Sequence, residues 1–334
     1  MLPLLRSHSV QEQRGSGEVA EAMLQAFLDL AEATYQLGHV DETGDLLARA
    51  VETAQDIGDD LRLARTLNRL GVIRGRQGRY AEAERLLKRA VATLERTTTV
   101  PDPELATFLS NLGTVYRLSA RFSQARAAFE RSLQVAEDWL GPKHINVAWA
   151  LDQIGEIDAS EGDITAAIFS LRRALAIKEE TLGSEHWDVA VTLGKLGEIY
   201  LREGRYNEAE PFVLRVIRIR EHILGWGDPA MARPLIRLAH LYSRQRKHGR
   251  AEQLVRYALK LSASIRPSDH PEIIDCLNLL AEVYRGLSRY EEADAVWKLA
   301  QGLVEGTEDK QKLVPFQYPH PPKITGPTPQ VSEA

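Results

Sequence analysis

The sequence repeats itself every 42 residues. Each copy contains a Leu-x-x-Leu or Leu-x-x-Ile step followed by a small residue, and these residues stand at constant spacing: Gly71, Gly113, Gly155, Gly197, Ala239 and Ala281. Self-similarity with a period of roughly 20 to 50 residues is the signature of repeat proteins, in which each unit buries its apolar face against the next. The chain is therefore predicted to be one stacked array rather than a set of independent globular domains.

Each copy is predicted to be a pair of helices joined by a tight turn. Apolar or small residues recur at i, i+3, i+4 and i+7 in the first half of a copy, for example at Leu193, Leu196, Gly197 and Tyr200. This spacing places them on one face of a helix. The second half has its own apolar stripe, and the period-two alternation typical of strands is absent. The sequence thus predicts an all-α fold.

A small residue marks most of the turns between paired helices. The seven turn positions are Gly38, Gly78, Ala120, Gly162, Gly204, Arg246 and Ser288. Glycine readily adopts the left-handed conformation that ends many helices. Ala120, Arg246 and Ser288 lack that freedom, so these three turns are expected to be formed less sharply.

The chain is predicted to have three parts: a flexible N-terminal segment (1–17), a stack of about seven repeats (18–304) and a Pro-rich disordered tail (305–334). Low aliphatic content and frequent proline are typical of disordered tails. The predicted repeats lie near 18–58, 59–100, 101–142, 143–184, 185–226, 227–268 and 269–304.

The C-terminal end leaves two questions open. No further amphipathic helix follows the seventh repeat as a polar cap, so Trp297, Leu299 and Val304 are a candidate surface for self-association. In the tail, Pro319-x-x-Pro322 has the minimal spacing of an SH3-domain ligand, although such matches are common in disordered segments.

Composition excludes several classes of function. The formal net charge is −5 and the pI is about 6.0, which gives no global attraction to nucleic acid or to anionic membranes. No apolar run approaches the roughly 18 residues of a membrane span, and no secretory signal is visible. Cys276 is the single cysteine and is predicted to be a buried structural thiol. A cytoplasmic protein without membrane or nucleic-acid partners is expected.

Motifs for catalysis and cofactor binding are absent from the sequence. It contains no Walker loop, no dinucleotide-binding glycine motif after a strand, no His-Glu-x-x-His and no Gly-x-Ser-x-Gly. His144, His186 and His270 recur at one repeat position but have no second ligand one helical turn away, as a metal site normally would. We therefore expect no enzyme activity, no cofactor and no metal, and we interpret these histidines as structural loop residues.

The pattern resembles the tetratricopeptide repeat family. Four first helices carry the Leu-x-x-Leu-Gly/Ala-x-x-Tyr motif, with Tyr116, Tyr200, Tyr242 and Tyr284, whereas Arg74 and Asp158 replace the tyrosine in two others. The 42-residue length and the connections Leu140-Gly-Pro-Lys-His144 and Leu182-Gly-Ser-Glu-His186 are similar to the kinesin-light-chain subtype. The resemblance implies a right-handed superhelical solenoid whose first helices line a concave groove for peptide segments.

Helical spacing selects the residues that would line such a groove. With the small residue of each first helix numbered 8, positions 2, 5, 6, 9 and 13 fall on the face opposite the core at about 100° per residue. The candidate binding residues from these positions are Arg65, Asn68, Arg69, Arg76, Asn111, Trp149, Gln153, Lys195, Arg233, Arg237, His240, Arg244 and Asn278.

The candidate residues admit a binding role and a structural role. Two clusters, Arg65/Arg69/Arg76 and Arg233/Arg237/Arg244, place like charges on one face and favour an anionic partner, although charged residues also solvate ordinary helix faces. The asparagines can pair with a peptide backbone or with the neighbouring repeat. Trp149 is either an exposed anchor or a filler between helices.

The predicted function is therefore a non-catalytic scaffold that binds a protein or peptide segment of acidic character. Two alternatives remain at this stage. In one, a small effector peptide changes the pitch of the superhelix, as in a sensor. In the other, the solenoid assembles with itself through its last repeat.

Overall fold

The computed structural model describes residues 2–97, 102–267 and 270–306, and seven residues beyond: Leu313, Phe316, Gln317, His320, Pro321, Pro322 and Ile324. Side chains are described from Gly17 onward. The described residues form fourteen α-helices, one 3-10 helix and no strand, which confirms the predicted all-α class.

The helices follow one another with short connections. They are α1 (Leu2–Gln36), α2 (Val40–Ile57), α3 (Asp60–Arg76), α4 (Tyr80–Thr97), α5 (Glu104–Leu118), α6 (Phe122–Leu140), α7 (Ile145–Glu161), α8 (Ile164–Leu182), α9 (Trp187–Arg202), α10 (Tyr206–Leu224), α11 (Ala232–Arg244), α12 (His248–Ile265), α13 (Pro271–Gly286) and α14 (Tyr290–Val304). The 3-10 helix, Pro229–Met231, precedes α11.

Helix α1 begins at Leu2, so its backbone extends over the segment predicted to be flexible. Leucine, arginine, glutamine and glutamate in that segment are good helix formers and offset the cost of its glycines.

The chain divides into two compact units, Met1–Glu161 with α1 to α7 and Gly162–Ala334 with α8 to α14. Within each unit, every helix packs against the next helix along the chain. The odd-numbered helices, which we call first helices, also contact one another: α3 with α5, α5 with α7, and α11 with α13. Packing between sequence neighbours is the arrangement that a solenoid requires.

The small residue of the 42-residue period lies where the two helices of a pair approach most closely. A β-carbon on Gly113 of α5 would lie 2.8 Å from the ring of Phe129 in α6. A β-carbon on Gly71 of α3 would lie 2.6 Å from Leu87 in α4. Real β-carbons do not approach other atoms so closely, because interiors are already packed to crystal-like density. The small residue therefore recurs every 42 residues because the two helices of each pair pack closely at that position.

The turns at Ala120, Arg246 and Ser288 are formed as sharply as those at glycine. Their φ angles are 58°, 60° and 61°, in the same left-handed region as Gly204 at 70°. At Ala120 the amide donates to the Arg117 carbonyl at 3.0 Å, and the next amide donates to the Tyr116 carbonyl at 2.9 Å. The prediction of less sharply formed turns was wrong, because these hydrogen bonds offset a steric cost of only about 1 to 2 kcal/mol.

A basic residue after the turn stacks on the tyrosine of the preceding first helix. The pairs, with distances from cation to ring centroid, are Arg121 on Tyr116 (4.6 Å), Arg205 on Tyr200 (4.6 Å), Lys247 on Tyr242 (5.2 Å) and Arg289 on Tyr284 (4.3 Å). A cation over an aromatic face is attracted by its quadrupole. This contact connects each such turn to the helix before it.

Ion pairs replace the tyrosine in the two degenerate repeats. Arg74 is buried and pairs with Glu82 at 3.2 Å, and its guanidinium occupies the space that a β-carbon on Gly44 would need. Asp158 is buried and pairs with Arg126 at 2.6 Å. Buried charges are tolerated when they are paired in this way. These positions keep a contact between helices although they have lost the aromatic ring.

Parts of the C-terminal segment lie against the second unit. Leu313 is fully buried in that unit's core, and Phe316 and Ile324 pack against it. Arg256 of α12 donates to the carbonyl oxygens of Phe316 at 3.1 Å and Gln317 at 3.4 Å. These described residues are therefore in contact with the core, whereas most of the segment predicted to be disordered lies outside the described residues.

Contacts of the last repeat change the predicted self-association surface. Leu299 is buried, with 6% of its surface exposed, because it belongs to the core cluster that includes Leu313. Trp297 and Val304 remain exposed, so the apolar surface is smaller than the sequence suggests. Pro322 of the SH3-like motif is buried, and Pro319 lies outside the described residues.

Cys276 is fully buried, as predicted, and burial raises the pKa of its thiol well above the ordinary range, with Glu272 and Asp275 adding to the effect. The nucleophilic thiolate is therefore disfavoured.

None of the helices in the described part of the chain has the length and apolar character needed to cross a membrane.

The left-handed turn at Ala120 predicts that Ala120→Gly stabilises the chain. Glycine accepts positive φ without a steric clash, so the free energy of unfolding should rise by about 1 kcal/mol. Urea unfolding followed by circular dichroism measures this change. Ala127→Gly, at an exposed position inside α6, is the matched control and should lose about 1 kcal/mol. Equal losses in the two variants would contradict the left-handed turn.

Candidate functional site

The predicted binding residues all lie on first helices, in two groups. Helices α3, α5 and α7 of the first unit carry seven of them, and α9, α11 and α13 of the second unit carry six. Most are exposed, as the helical spacing predicts: Arg65, Arg69, Arg76, Trp149, Arg233, His240, Arg244 and Asn278. The apolar residues on the opposite face of each helix are buried, and Asn68 is the one predicted binding residue that is buried as well.

The three arginines of α3 do not form one anion site. Arg65 donates from Nε to both oxygens of Glu104 in α5, at 2.8 and 3.1 Å, and this hydrogen bond raises the pKa of its guanidinium. Arg76 stacks on Tyr35 of α1, with 4.9 Å from Cζ to the ring centroid. Arg69 makes no ion pair with any described residue and presents its charge to solvent. Glu104 therefore neutralises Arg65, and Tyr35 holds the Arg76 side chain in place without neutralising it. Arg69 is the one of the three that borders solvent without either contact.

Two of the predicted asparagines pair with each other across repeats. Asn111 of α5 donates from Nδ2 to Oδ1 of Asn68 in α3 at 3.0 Å. Asn68 is buried, so its role is partly structural, as one of the two interpretations of the sequence expected. The pair still has amide hydrogens and one carbonyl oxygen for a ligand. Asn278 of α13 is exposed.

Helices α1 and α3 enclose two adjoining cavities. The first has a volume of about 220 Å³ and is mostly apolar; its lining includes Leu28, Ala31, Leu47, Val72 and Ile73, and its polar members include Glu32, Tyr35, Asn68 and Arg69. The second has a volume of about 550 Å³ and is more charged; its lining includes Glu18, Glu21, Gln25, Arg62 and Arg65. Leu28 and Arg69 border both cavities. We call the combined feature the α1–α3 groove.

Trp149 and Gln153 lie one turn apart on α7. Trp149 is 44% exposed, which favours the anchor interpretation over the filler interpretation. The side-chain oxygen Oε1 of Gln153 is buried and accepts no hydrogen bond from any described residue. A buried acceptor without a donor is costly, at about 1 to 3 kcal/mol. The pair is therefore a second candidate contact in the first unit.

In the second unit, the predicted binding arginines of α11 have few carboxylate neighbours. Arg237 of α11 pairs with Glu198 of α9 at 3.1 Å, and Arg233 lies 3.8 Å from Glu272 of α13. Lys195 is half-buried, while Arg244 is exposed.

His240 lies on the same helix face of the second unit. Loss of surrounding water lowers the pKa of its imidazole below the ordinary value, and the charge of Arg244 adds to this effect, whereas Glu282 opposes it. His240 is therefore biased toward its neutral form, as expected for polar lining.

Several residues that border the candidate sites lie outside the regular first-helix positions, so helical spacing does not select them. Leu28 and Tyr35 of α1 escaped because the first repeat lacks the Leu-x-x-Leu-Gly marker, although Tyr35 stands three residues before the turn glycine. Trp187 and Arg220 escaped because they lie at the ends of α9 and α10 rather than in their middles. An aromatic residue directly after the recurrent His186 was the available signal.

The recurrent histidines cap helices. In each case Nδ1 accepts a hydrogen bond from the backbone amide two residues later: His144 from Asn146 at 3.2 Å, His186 from Asp188 at 3.1 Å and His270 from Glu272 at 3.2 Å. In the sixth repeat Asp228 makes the equivalent bond to Ala230 at 2.7 Å. Capping groups satisfy amides that have no partner inside the helix. The interpretation as structural loop residues agrees with these contacts.

Comparison with known families decides the identity of the repeat. A family model described as Tetratricopeptide repeat matches residues 22–96, 104–180, 188–264 and 230–296. The chain belongs to the tetratricopeptide repeat family. Tetratricopeptide repeats typically form non-catalytic surfaces for protein–protein interaction. No curated protein sequence matches the chain.

Solved structures share the fold at low sequence identity. A Podosopora anserina protein described as a kinesin light chain with nearly identical TPR-like repeats is 20% identical, with a TM-score of 0.54 over 62% of this chain and 98% of that one. Aspartyl phosphate phosphatase F from Bacillus subtilis is 13% identical, with a TM-score of 0.61 over 87% and 73%. A Pyrococcus horikoshii STAND protein with a tetratricopeptide repeat sensor is 14% identical, with a TM-score of 0.66 over 87% and 44%. The predicted family is confirmed, and kinesin-light-chain-like repeats are among its structural neighbours.

The capping contact of His186 predicts a local loss of stability in His186→Ala. Removing the acceptor leaves an amide of the first turn of α9 unpaired, which costs about 1 kcal/mol. Hydrogen exchange should become faster at the first amides of α9, and urea unfolding should shift to lower concentration. His186→Asn keeps an acceptor and should restore most of the stability. The capping role would be contradicted if asparagine were no better than alanine.

Proposed function

We propose that this protein is a non-catalytic interaction scaffold that binds an extended segment of a partner protein in the α1–α3 groove. The observation that carries the proposal is the groove itself, in which an apolar cavity lies beside an available arginine and a buried amide. Binding sites are typically concave and apolar with a few oriented polar groups. The scaffold is proposed to act in the cytoplasm.

The chemistry of the groove defines the segment that fits it. Leu28, Leu47 and Ile73 form an apolar surface for one large apolar side chain. Arg69, which borders both cavities, supplies a positive charge for an acidic residue next to that side chain. Asn68 and Asn111 supply amide groups for the backbone of an extended chain. An apolar residue followed by an acidic residue is therefore the expected core of the motif.

Contacts inside the scaffold keep this surface in place before a partner arrives. Arg76 holds Tyr35 at the wall of the groove, and Arg65 connects α3 to α5 through Glu104. The Asn68–Asn111 hydrogen bond connects the same two helices. A preorganised surface leaves most of the entropic cost of binding to the ligand. Arg65 and Arg76 therefore support the site although they are not its main binding charges.

A sensor is the second candidate function. One structural neighbour includes a tetratricopeptide repeat sensor in its description, and the α1–α3 groove is large enough for a short effector peptide. The two functions differ in one observable quantity. A sensor changes its radius of gyration when the effector binds, whereas a rigid scaffold keeps it.

The groove proposal predicts that Arg69→Glu abolishes partner capture while the fold stays intact. Reversing the available charge places a carboxylate against the acidic residue of the segment, so capture should fall by roughly tenfold or more. The measurement is affinity purification with crosslinking from the source organism, quantified by mass spectrometry. Circular dichroism reports whether helicity is unchanged.

The matched control is Arg89→Glu, which makes the same charge change at an exposed position of α4. This variant should capture the same partner as the unaltered protein. Equal capture by Arg69→Glu and the unaltered protein would contradict a binding role for the α1–α3 groove. Loss in both variants would contradict it as well, because the effect would then come from net charge alone.

A further inference from the structure

Arg220 of α10 is half-buried and has no carboxylate partner among the described residues. Its Nη1 donates to the Ala230 carbonyl at 2.9 Å, and its guanidinium lies 4.7 Å from the ring centroid of Trp187. Its Nε is buried and donates to no acceptor within the described part of the chain. The positive charge is thus held in a fixed place without a counter-ion.

Arg220 contacts Ala230, which lies just before α11 and its arginines Arg233 and Arg237. Burial lowers the pKa of the Arg220 guanidinium, and the positive charges of Arg237 and Arg233 lower it further. Burial also lowers the pKa of Arg237, with Arg233 and Arg202 adding to the effect and Glu198 opposing it. Arg233 therefore disfavours the charged forms of Arg220 and Arg237, and Arg237 disfavours that of Arg220. Such perturbation by burial and by specific neighbours is a mark of functional sites.

Few carboxylates balance this cluster. Glu198 is shared between Arg237 at 3.1 Å and Arg202 at 3.3 Å. Glu272 lies 2.6 Å from Arg266 but 3.8 Å from Arg233, so its charge mainly serves Arg266. Four arginines thus share these two carboxylates, and Arg220 contacts neither of them.

The fold does not require this arrangement. The single hydrogen bond from Arg220 to Ala230 connects α10 to the next repeat, and a neutral glutamine could supply the same donor. A desolvated charge without a counter-ion is destabilising, and nearby like charges add to the effect. By contrast, the buried Arg74 pairs with Glu82 and the buried Asp158 pairs with Arg126. An anionic ligand would remove the imbalance.

We propose that Arg220, Arg233 and Arg237 form a binding site for the doubly charged phosphoryl group of a phosphorylated side chain in a partner segment. Three guanidinium groups from two helices can donate to a tetrahedral dianion from several directions, whereas a planar carboxylate uses one fork. Arginine clusters are the usual recognition element for phosphorylated motifs.

Two neighbours of the cluster prepare it for a ligand. Trp187 is 37% exposed and supports the Arg220 guanidinium by a cation–π contact, which fixes its direction. Gly194 of α9 lies beside Arg237, and a β-carbon there would come within 3.4 Å of its Nη1. The missing side chain leaves the approach to Arg237 open.

This inference depends on the proposed function only in that the phosphoryl group belongs to a partner. The site lies in the second unit, whereas the α1–α3 groove lies in the first. A titration with phosphate compounds therefore tests the site without any partner. Absence of phosphate binding would not affect the proposal for the α1–α3 groove. Absence of partner binding in that groove would not affect the proposal for the arginine site.

The experiment measures the thermal midpoint of the full chain against inorganic phosphate and blocked phosphoserine (N-acetyl-phosphoserine N-methylamide), at constant ionic strength set with chloride. Both probes should raise the midpoint, because a ligand that binds only the native state stabilises it. Arg220→Gln should weaken the apparent affinity by roughly tenfold or more, the loss expected for a charge-assisted hydrogen bond. Without phosphate, Arg220→Gln should be at least as stable as the unaltered chain, since repulsion is relieved.

Lys298→Gln, an exposed charge removal on α14, is the matched control and should keep the full phosphate response. Arg237→Gln provides a second variant should Arg220→Gln not fold. The proposal is overturned if the phosphate response is absent, or equal in the unaltered chain and both arginine variants. A response to inorganic phosphate without one to blocked phosphoserine overturns the phosphorylated side chain as the source. An equal response to blocked glutamate overturns the preference for a dianion.

Discussion

The close contact between the two helices of a repeat is the constraint on which the rest of the structure depends. At Gly113 the backbone of α5 lies so near Phe129 of α6 that no side chain fits between them. This contact fixes which face of each first helix is buried, and therefore which face is exposed. Because a small residue recurs there every 42 residues, the exposed faces of α3 and α5 lie beside each other, and Arg65 of one contacts Glu104 of the other. The binding surface is thus a consequence of the packing on the other side of the same helices.

Charged residues that stabilise the stack have an oppositely charged partner, whereas two arginines of the proposed sites have none among the described residues. Where a charged residue replaces the repeat tyrosine, the fold supplies a partner, as Arg126 does for Asp158. Arg65 is likewise neutralised by Glu104 and so serves the stack. Arg69 and Arg220 differ, because neither has a carboxylate partner among the described residues. One is exposed beside an apolar cavity, and the other is half-buried among arginines. Unbalanced charges in an otherwise balanced structure are the positions at which a ligand is expected.

The sequence predicts the helices, their pairing and their buried faces, since all three depend on local spacing. It predicts the candidate site less well, because the decisive contacts join residues about one repeat apart. Nothing local to Arg65 indicates that Glu104 will neutralise it, and nothing local to Asn68 indicates Asn111. The groove also needs Tyr35 from α1, which lies in the least regular repeat. The sequence predicts a turn at Ala120 but not its sharp left-handed form, because hydrogen bonds outweigh the residue preference there.

The most direct test of the central claim is hydrogen–deuterium exchange of the full chain, alone and bound to the partner recovered by crosslinking. If the α1–α3 groove binds the segment, exchange should slow in residues 24–36 and 62–76, which line it, and stay unchanged in α4. Slower exchange confined to the even-numbered helices, with residues 24–36 and 62–76 unaffected, would contradict the account. The same measurement then shows whether the first helices, rather than their partners in each pair, carry the function.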